Sequence, residues 1–240
     1  MHRNFLFDLD QTLLNFHASE YKALGIVLRE NGLEFNDDIY KAFMAYNKSL
    51  WLELEKKTIT RTELFTKRFN YVLELAGGDV SKLDALKINS DFINTMAVNG
   101  VLMDGALEFV KRLKAEIADC RISIITNGAT VNAKGRIEST GLDQFIDGLF
   151  VSEDMGVSKP DPEYFDIVFK KISEPKESCI VIGDSLSSDM LGAKNAGLTS
   201  VWFMPTGDDI AGAMQEYEID YTANDFEELF TVLSKFRSKI

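Results

Sequence analysis

The stretch Phe5-Leu6-Phe7-Asp8-Leu9-Asp10-Gln11-Thr12-Leu13 restricts the fold more than any other part of this chain. Apolar residues on consecutive positions suit a strand covered on both faces, as in a parallel sheet lying between helices. The strand runs straight into two aspartates one residue apart. In open α/β sheets the carboxyl ends of the strands form the edge where ligands bind. Asp8 and Asp10 would share a face of a regular strand, and two like charges ~4 Å apart at an effective dielectric of about 20 repel by roughly 4 kcal/mol. A divalent cation is the simplest remedy.

After Thr12 the apolar spacing turns helical and stays so through residues 15–96. Tyr21, Leu24, Val27 and Leu28 make one stripe of a helix over Ala18 to Asn31, and Asn36 suits the cap of a second helix. Thr60-Arg61-Thr62-Glu63 is a capping-box pattern ahead of a third, which Gly77-Gly78 stops. A fourth is expected over Lys82 to Thr95. Tyr21, Phe43, Tyr46, Trp51, Phe65, Phe69 and Tyr71 are expected to supply this bundle's own core.

From Asn99 strands and helices alternate. Asp104 is expected to cap a helix, and Ile122 to Ile125 forms a strand ending at Thr126-Asn127-Gly128. A helix closes at Gly141, Leu149 to Val151 is a short strand, and Pro162 opens a further helix after Ser158-Lys159-Pro160. Cys179 to Ile182 is a strand ending at Gly183-Asp184-Ser185, with a helix from Asp189 to Ala196 and a last strand over Ser200 to Phe203. Phe226 to Phe236 closes the chain as an amphipathic helix. The expected class is α/β: a doubly wound, mostly parallel, Rossmann-like sheet built from 1–14 and 97–240, with an inserted all-helical four-helix unit over 15–96.

The composition, with 45% hydrophobic and 27% charged residues in 240, is that of a globular protein. A net charge of -12 with scattered Lys and Arg argues against a nucleic acid polymer as partner. No apolar run reaches the length of a membrane span, and the first residues lack the order of a secretory signal, so a cytoplasmic location is expected. Cys120 and Cys179 have no CxxC spacing and are expected to be reduced. His2 and His17 are too isolated for a catalytic pair.

Chemistry-bearing residues gather at strand ends: Asp8 and Asp10, then Thr126 and Asn127, then Lys159 in a loop, then Asp184 and Asp189. Asp8, Asp184 and Asp189 with backbone oxygen suit magnesium, a hard cation that prefers oxygen. The Thr126 hydroxyl, backbone amides near Asn127 and Gly128, and the Lys159 ammonium suit a phosphate. Asp189 also suits a simple cap for the helix it opens.

The order Asp-x-Asp-x-Thr, Thr-Asn-Gly, Ser-Lys-Pro, Gly-Asp-Ser-x-x-x-Asp resembles the four motifs of the haloacid dehalogenase (HAD) superfamily of phosphohydrolases, and the insertion resembles its helical cap. The resemblance implies Asp8 as nucleophile and Asp10 as acid and base. It implies Thr126, Asn127 and Lys159 at the phosphate, and one Mg²⁺ held by Asp8, Asp184 and the backbone oxygen of Asp10. Asp189, Ser185 and Gly128 would support them. Trp51-x-x-x-Glu55, Ile59-Thr60-Arg61-x-Glu63-Leu64, Arg68-Phe69 and Arg136 further resemble bacterial pyrimidine nucleoside monophosphate phosphatases that discard noncanonical nucleotides. Gln11 departs from the Gly, Asp or Glu common at its place, and Asp104 stands where Pro often precedes Gly105.

The expected activity is therefore magnesium-dependent hydrolysis of a small phosphorylated metabolite, a nucleoside 5'-monophosphate ahead of a sugar phosphate, by a monomer or homodimer. Competing readings are a 2-haloacid dehalogenase, a phosphomutase, and a phosphonatase drawing a Schiff-base lysine from Lys22, Lys41, Lys48, Lys56 or Lys57. From another class, a phospholigand-binding regulatory module would keep the site without turnover.

Overall fold

The computed structural model describes residues 3–55, 58–172, 174–207 and 209–236, so His2, Lys56 and Lys57 lie outside the described residues. The chain divides into two compact units, Met1–Phe16 with Gly100–Ile240 and, separately, His17–Asn99.

The second unit is built from α1 (Phe16–Glu30), α2 (Asp37–Glu55), α3 (Arg61–Leu75) and α4 (Ala85–Val98). The capping box forms: the Glu63 N–H donates to Thr60 Oγ1 (3.2 Å) while the Thr60 N–H donates to Glu63 Oε2 (2.7 Å). Helix α4 starts later than Lys82 because the Asp84 carboxylate caps it, accepting from the N–H groups of Leu86 and Lys87. Phe43 and Phe69 are fully buried and meet Phe92 edge-on or tilted. Tyr21, Trp51 and Tyr71, expected inside, are instead 36–37% exposed. For Tyr21 the reason is its hydroxyl, which donates to Asp37 Oδ1 on the surface.

This unit also buries ionisable groups. Arg68, stacked near Phe65, Phe69 and Phe92, donates through Nε and Nη2 to Asn89 Oδ1, and Glu20 accepts from the Tyr40 hydroxyl at 3.1 Å. Burial pushes the Glu20 carboxyl up to about 6 against the pull of the Tyr40 bond and the Arg68 charge. The folded chain therefore holds this proton more tightly than the unfolded one. The contribution of this group to stability is complete below the ordinary value of 4.5 and is lost as pH rises through about 6. The pH difference across that window is worth roughly 2 kcal/mol. Glu20→Gln should remove it, so that urea unfolding shows the variant gaining on the wild type between pH 4.5 and pH 7. Parallel stability curves for the two proteins would refute this account.

The first unit is a six-stranded sheet of β1 (Arg3–Phe7), β2 (Cys120–Thr126), β3 (Gly148–Val151), β4 (Cys179–Gly183), β5 (Thr199–Phe203) and β6 (Tyr221–Ala223). Its order is β3-β2-β1-β4-β5-β6 and every neighbouring pair is parallel. The helices are α5 (Ala106–Glu116), α6 (Thr130–Thr140), α7 (Ser152–Met155), α8 (Pro162–Ile172), α9 (Leu191–Ala196), α10 (Ile210–Glu216) and α11 (Phe226–Lys235). Alternate residues of each strand serve opposite faces. Phe5, Phe7, Ile122, Ile124, Ile180 and Ile182 pack with α5, α6 and α11, whereas Leu6, Ile125 and Val181 pack with α8 and α9. Both faces are covered, which accounts for the unbroken apolar run of β1. Each such side chain contributes about 1.5–3 kcal/mol on leaving water.

Three expectations need correction. Asp104 does not cap α5: Gly105 occupies the N-cap with φ +82°, a left-handed turn that suits glycine, and no side chain caps the helix. The helix expected from Asp189 begins only at Leu191. Leu186–Met190 forms a wide π-type turn in which the Ser185 carbonyl accepts from the N–H groups of both Asp189 and Met190, because the Asp189 carboxylate points inward. The sheet is also longer than the sequence pattern suggests, since three-residue β6 is too short to show an alternation. Cys120 and Cys179 are free thiols, and among the described residues no helix is long and apolar enough to cross a membrane.

Candidate active site

The chain steps one way from β1 to β3 and then crosses to begin the other half at β4. The reversal leaves a crevice at the carboxyl ends of β1 and β4, the ordinary ligand site of open parallel sheets. Asp8 follows β1 and its N–H continues the ladder to the Ile182 carbonyl (2.8 Å). Asp184 follows β4, and its backbone oxygen accepts from the Trp202 indole (2.9 Å), which fixes the turn. Thr126 ends β2 on the other side of β1.

Lys159 brings these ends together. Its buried ammonium donates to Asp8 Oδ1 (2.7 Å), Asp189 Oδ1 (2.6 Å) and the Ile125 carbonyl (2.8 Å). An ammonium has three protons, so all are in use. Asn127 clasps the loop that carries it: its side chain donates to the Lys159 carbonyl and accepts from the Lys159 N–H, both at 2.9 Å. The Asn127 side chain is thereby committed to the loop. Thr126 Oγ1 accepts from the Gly128 N–H (3.1 Å), which shapes the turn after β2. Asp189 is held by the Ser185 N–H on its second oxygen (3.2 Å). A methyl group at Gly183 would stand 2.3 Å from that oxygen, so glycine is required there.

Carboxylate oxygens of Asp8, Asp184 and Asp189 lie within 4.8 Å of one another. Burial, against the pull of Lys159, pushes the Asp8 carboxyl well above its ordinary value of 3.8, and the charges of Asp189 and Asp10 add to the rise. Asp184 is pushed up to about 6, first by burial and then by Asp189. Desolvation pulls the Lys159 ammonium down, yet Asp189 and Asp8 outweigh it and raise it above 10.5. The edge is short of positive charge. The donor set fits a hard divalent cation: Lys159 takes Oδ1 of Asp8, so Oδ2 is the oxygen left to offer, with Asp184 beside it. Asp189 is placed as a brace, since one oxygen serves Lys159 and the other Ser185.

Asp10 sits in the tight turn after β1. Gln11 there has φ +61°, which explains why glycine suits the place, and its side chain compensates by accepting from the Phe16 N–H (2.8 Å) at the start of α1. Arg136, quoted in the sequence only as part of a resemblance, bonds both oxygens of Asp10: Nη1 to Oδ1, and Nη2 to Oδ2 at 3.1 Å. It is 1% exposed. The signal for it was its register on α6, where Arg136 falls on the same stripe as the core residues Ala133 and Ile137.

A family model for haloacid dehalogenase-like hydrolases matches residues 2–197, and the chain belongs to that family. Two relatives, PynA of Streptococcus pneumoniae and YjjG of Escherichia coli, are named pyrimidine 5'-nucleotidases. Each is 32% identical, over 83% of this chain and 83% of PynA and over 82% of this chain and 83% of YjjG. Among solved structures, YfnB of Bacillus subtilis bound to magnesium is 30% identical with a TM-score of 0.82, covering 97% of this chain and 98% of that one.

Proposed function

We propose that this hydrolase cleaves phosphomonoesters through an aspartyl phosphate on Asp8, with nucleoside 5'-monophosphates as substrates. The observation that supports it above the others is the single buried ammonium of Lys159 joining Asp8 to Asp189 beside Asp184 at the sheet's reversal. Asp8, Asp184 and the Asp10 backbone oxygen would hold magnesium, which would supply the charge that lets a carboxylate approach a phosphate dianion. Asp8 attacks phosphorus, and Asp10 protonates the departing 5'-oxygen. Lys159 exchanges its bond to Asp8 for one to a phosphoryl oxygen, and the Thr126 hydroxyl, held by the Gly128 N–H, takes the others with the backbone N–H of Asn127. Asp10 then takes a proton from the water that frees phosphate and restores Asp8.

The nucleotide preference rests on the two nucleotidase relatives, and the magnesium on YfnB. We assign the helical unit, residues 17–99, the part of a cap that selects the substrate; the YfnB structure reveals interdomain movement in that protein. A dehalogenase has no call for Asp184 or a second aspartate. A Schiff-base lysine needs desolvation, and Lys22, Lys41 and Lys48 are exposed.

The test is phosphate release from a panel of nucleoside monophosphates and sugar phosphates, with magnesium and with a chelator. Pyrimidine nucleotides should be turned over fastest, and only with magnesium. Faster release from sugar phosphates would overturn the nucleotide assignment, and no release from any member would overturn the phosphatase reading.

A further inference from the structure

We propose that Arg136 is a positioning residue for the second half of this reaction, holding the Asp10 carboxylate so that it removes a proton from the attacking water. The inference rests on the phosphatase reading above. Arg136 is fully buried, yet its Nε–H has no protein partner among the described residues. Leaving a buried donor unpaired costs about 1–3 kcal/mol. An apolar side chain on this stripe of α6, between Ala133 and Ile137, would avoid that, so core packing alone does not account for an arginine here.

What the arginine does have is a fixed plane. The Phe16 ring lies 5.4 Å from the guanidinium, and Phe16 is itself tied by its N–H to Gln11 in the Asp10 turn. The two parallel bonds to Asp10 set both the position and the plane of the carboxylate, which one bond would leave free to rotate. A carboxylate bridged through both oxygens is held in one orientation toward the water. Its remaining lone pairs can take a proton from water as the water oxygen bonds to phosphorus. The bond from phosphorus to the Asp8 oxygen then breaks, Asp8 leaves as a carboxylate, and the proton stays on Asp10. Protonating the leaving group in the first half requires the bridge to open at one oxygen, so Arg136 favours the second step over the first.

The test is rapid-quench kinetics of Arg136→Met with 4-nitrophenyl phosphate and magnesium. The variant should show a burst of about one nitrophenol per active site, with phosphoenzyme accumulating, where the wild type shows none. Its kcat should fall by roughly 10- to 100-fold, less than the ~10²–10⁴-fold that a general base contributes because Asp10 itself is kept, while kcat/KM, which ends at departure of the leaving group, changes less than about 3-fold. A purely structural role would lower both together without moving the slow step. Arg136→Lys, which keeps the charge but bridges one oxygen at a time, should give the same burst with a smaller fall in kcat, and it decides the matter if Arg136→Met does not fold. Parallel loss of kcat and kcat/KM, or an unchanged kcat, would overturn the proposal. An inactive wild type would instead count against the phosphatase reading.

Discussion

Asp8→Asn should release phosphate at least ~10⁴-fold more slowly than the wild type under any substrate condition, because it removes the nucleophile of the two-step path proposed above. The same change should leave the fold intact. The amide oxygen can still accept from Lys159, whose ammonium retains Asp189 and the Ile125 carbonyl. It also removes a carboxyl that burial holds well above its ordinary protonation range. Denaturant unfolding at pH 7 should place the variant within about 1 kcal/mol of the wild type, the scale that separates a charge-assisted hydrogen bond from a neutral one. More than a hundredth of the wild-type rate in purified Asp8→Asn would remove Asp8 from the covalent role.

Lys159→Met should have the largest effect on stability. It strands Asp8 and Asp189, both buried, with no cation between them, and breaking a buried pair in this way costs about 3–5 kcal/mol. The folded-state ammonium is raised above 10.5, so its contribution is complete below that pH and is lost only as pH climbs through the folded value. The deficit of the variant should thus be present throughout the neutral range, and should shrink toward pH 5 as the stranded Asp8 carboxyl takes up a proton. Adding Asp189→Leu to Lys159→Met should recover part of the loss, since an uncharged pair is easier to bury. Unfolding free energies equal to the wild type at pH 7 would show that Lys159 is not the strut the geometry describes. Activity should fall as well, because the loop clasped by Asn127 loses its anchor to β1.

Much of this was legible in the chain itself, for identifiable reasons. The runs at Phe5, Ile122 and Ile180 read as strands because both their faces are covered, and the carboxyl-end rule then put Asp8, Thr126 and Asp184 on one edge. Gly141 and Pro162 mark helix boundaries by backbone chemistry that tertiary contacts do not override. What could not be read depends on geometry between distant segments. Lys159 is marked for the site by its motif, but its role as a strut shows only once the loop is folded and its three acceptors, from β1, β2 and the π-type turn, converge. Arg136 looks like a solvated helix residue unless the register of α6 is known to turn that stripe inward. Asp104 failed as a cap because Gly105, one residue on, supplies the left-handed turn instead.

The central strand also has a consequence for synthesis. Arg3 pairs with Cys120 and Asn4 with Cys179, so β1 leaves the ribosome long before either neighbour exists. Phe5, Leu6 and Phe7 must wait as an unpaired, sticky segment while the whole helical insertion is translated, which is the state most open to misassociation and to chaperone capture. Slowing elongation within residues 17–99 should therefore lower the yield of folded protein more than slowing it after β4 has emerged.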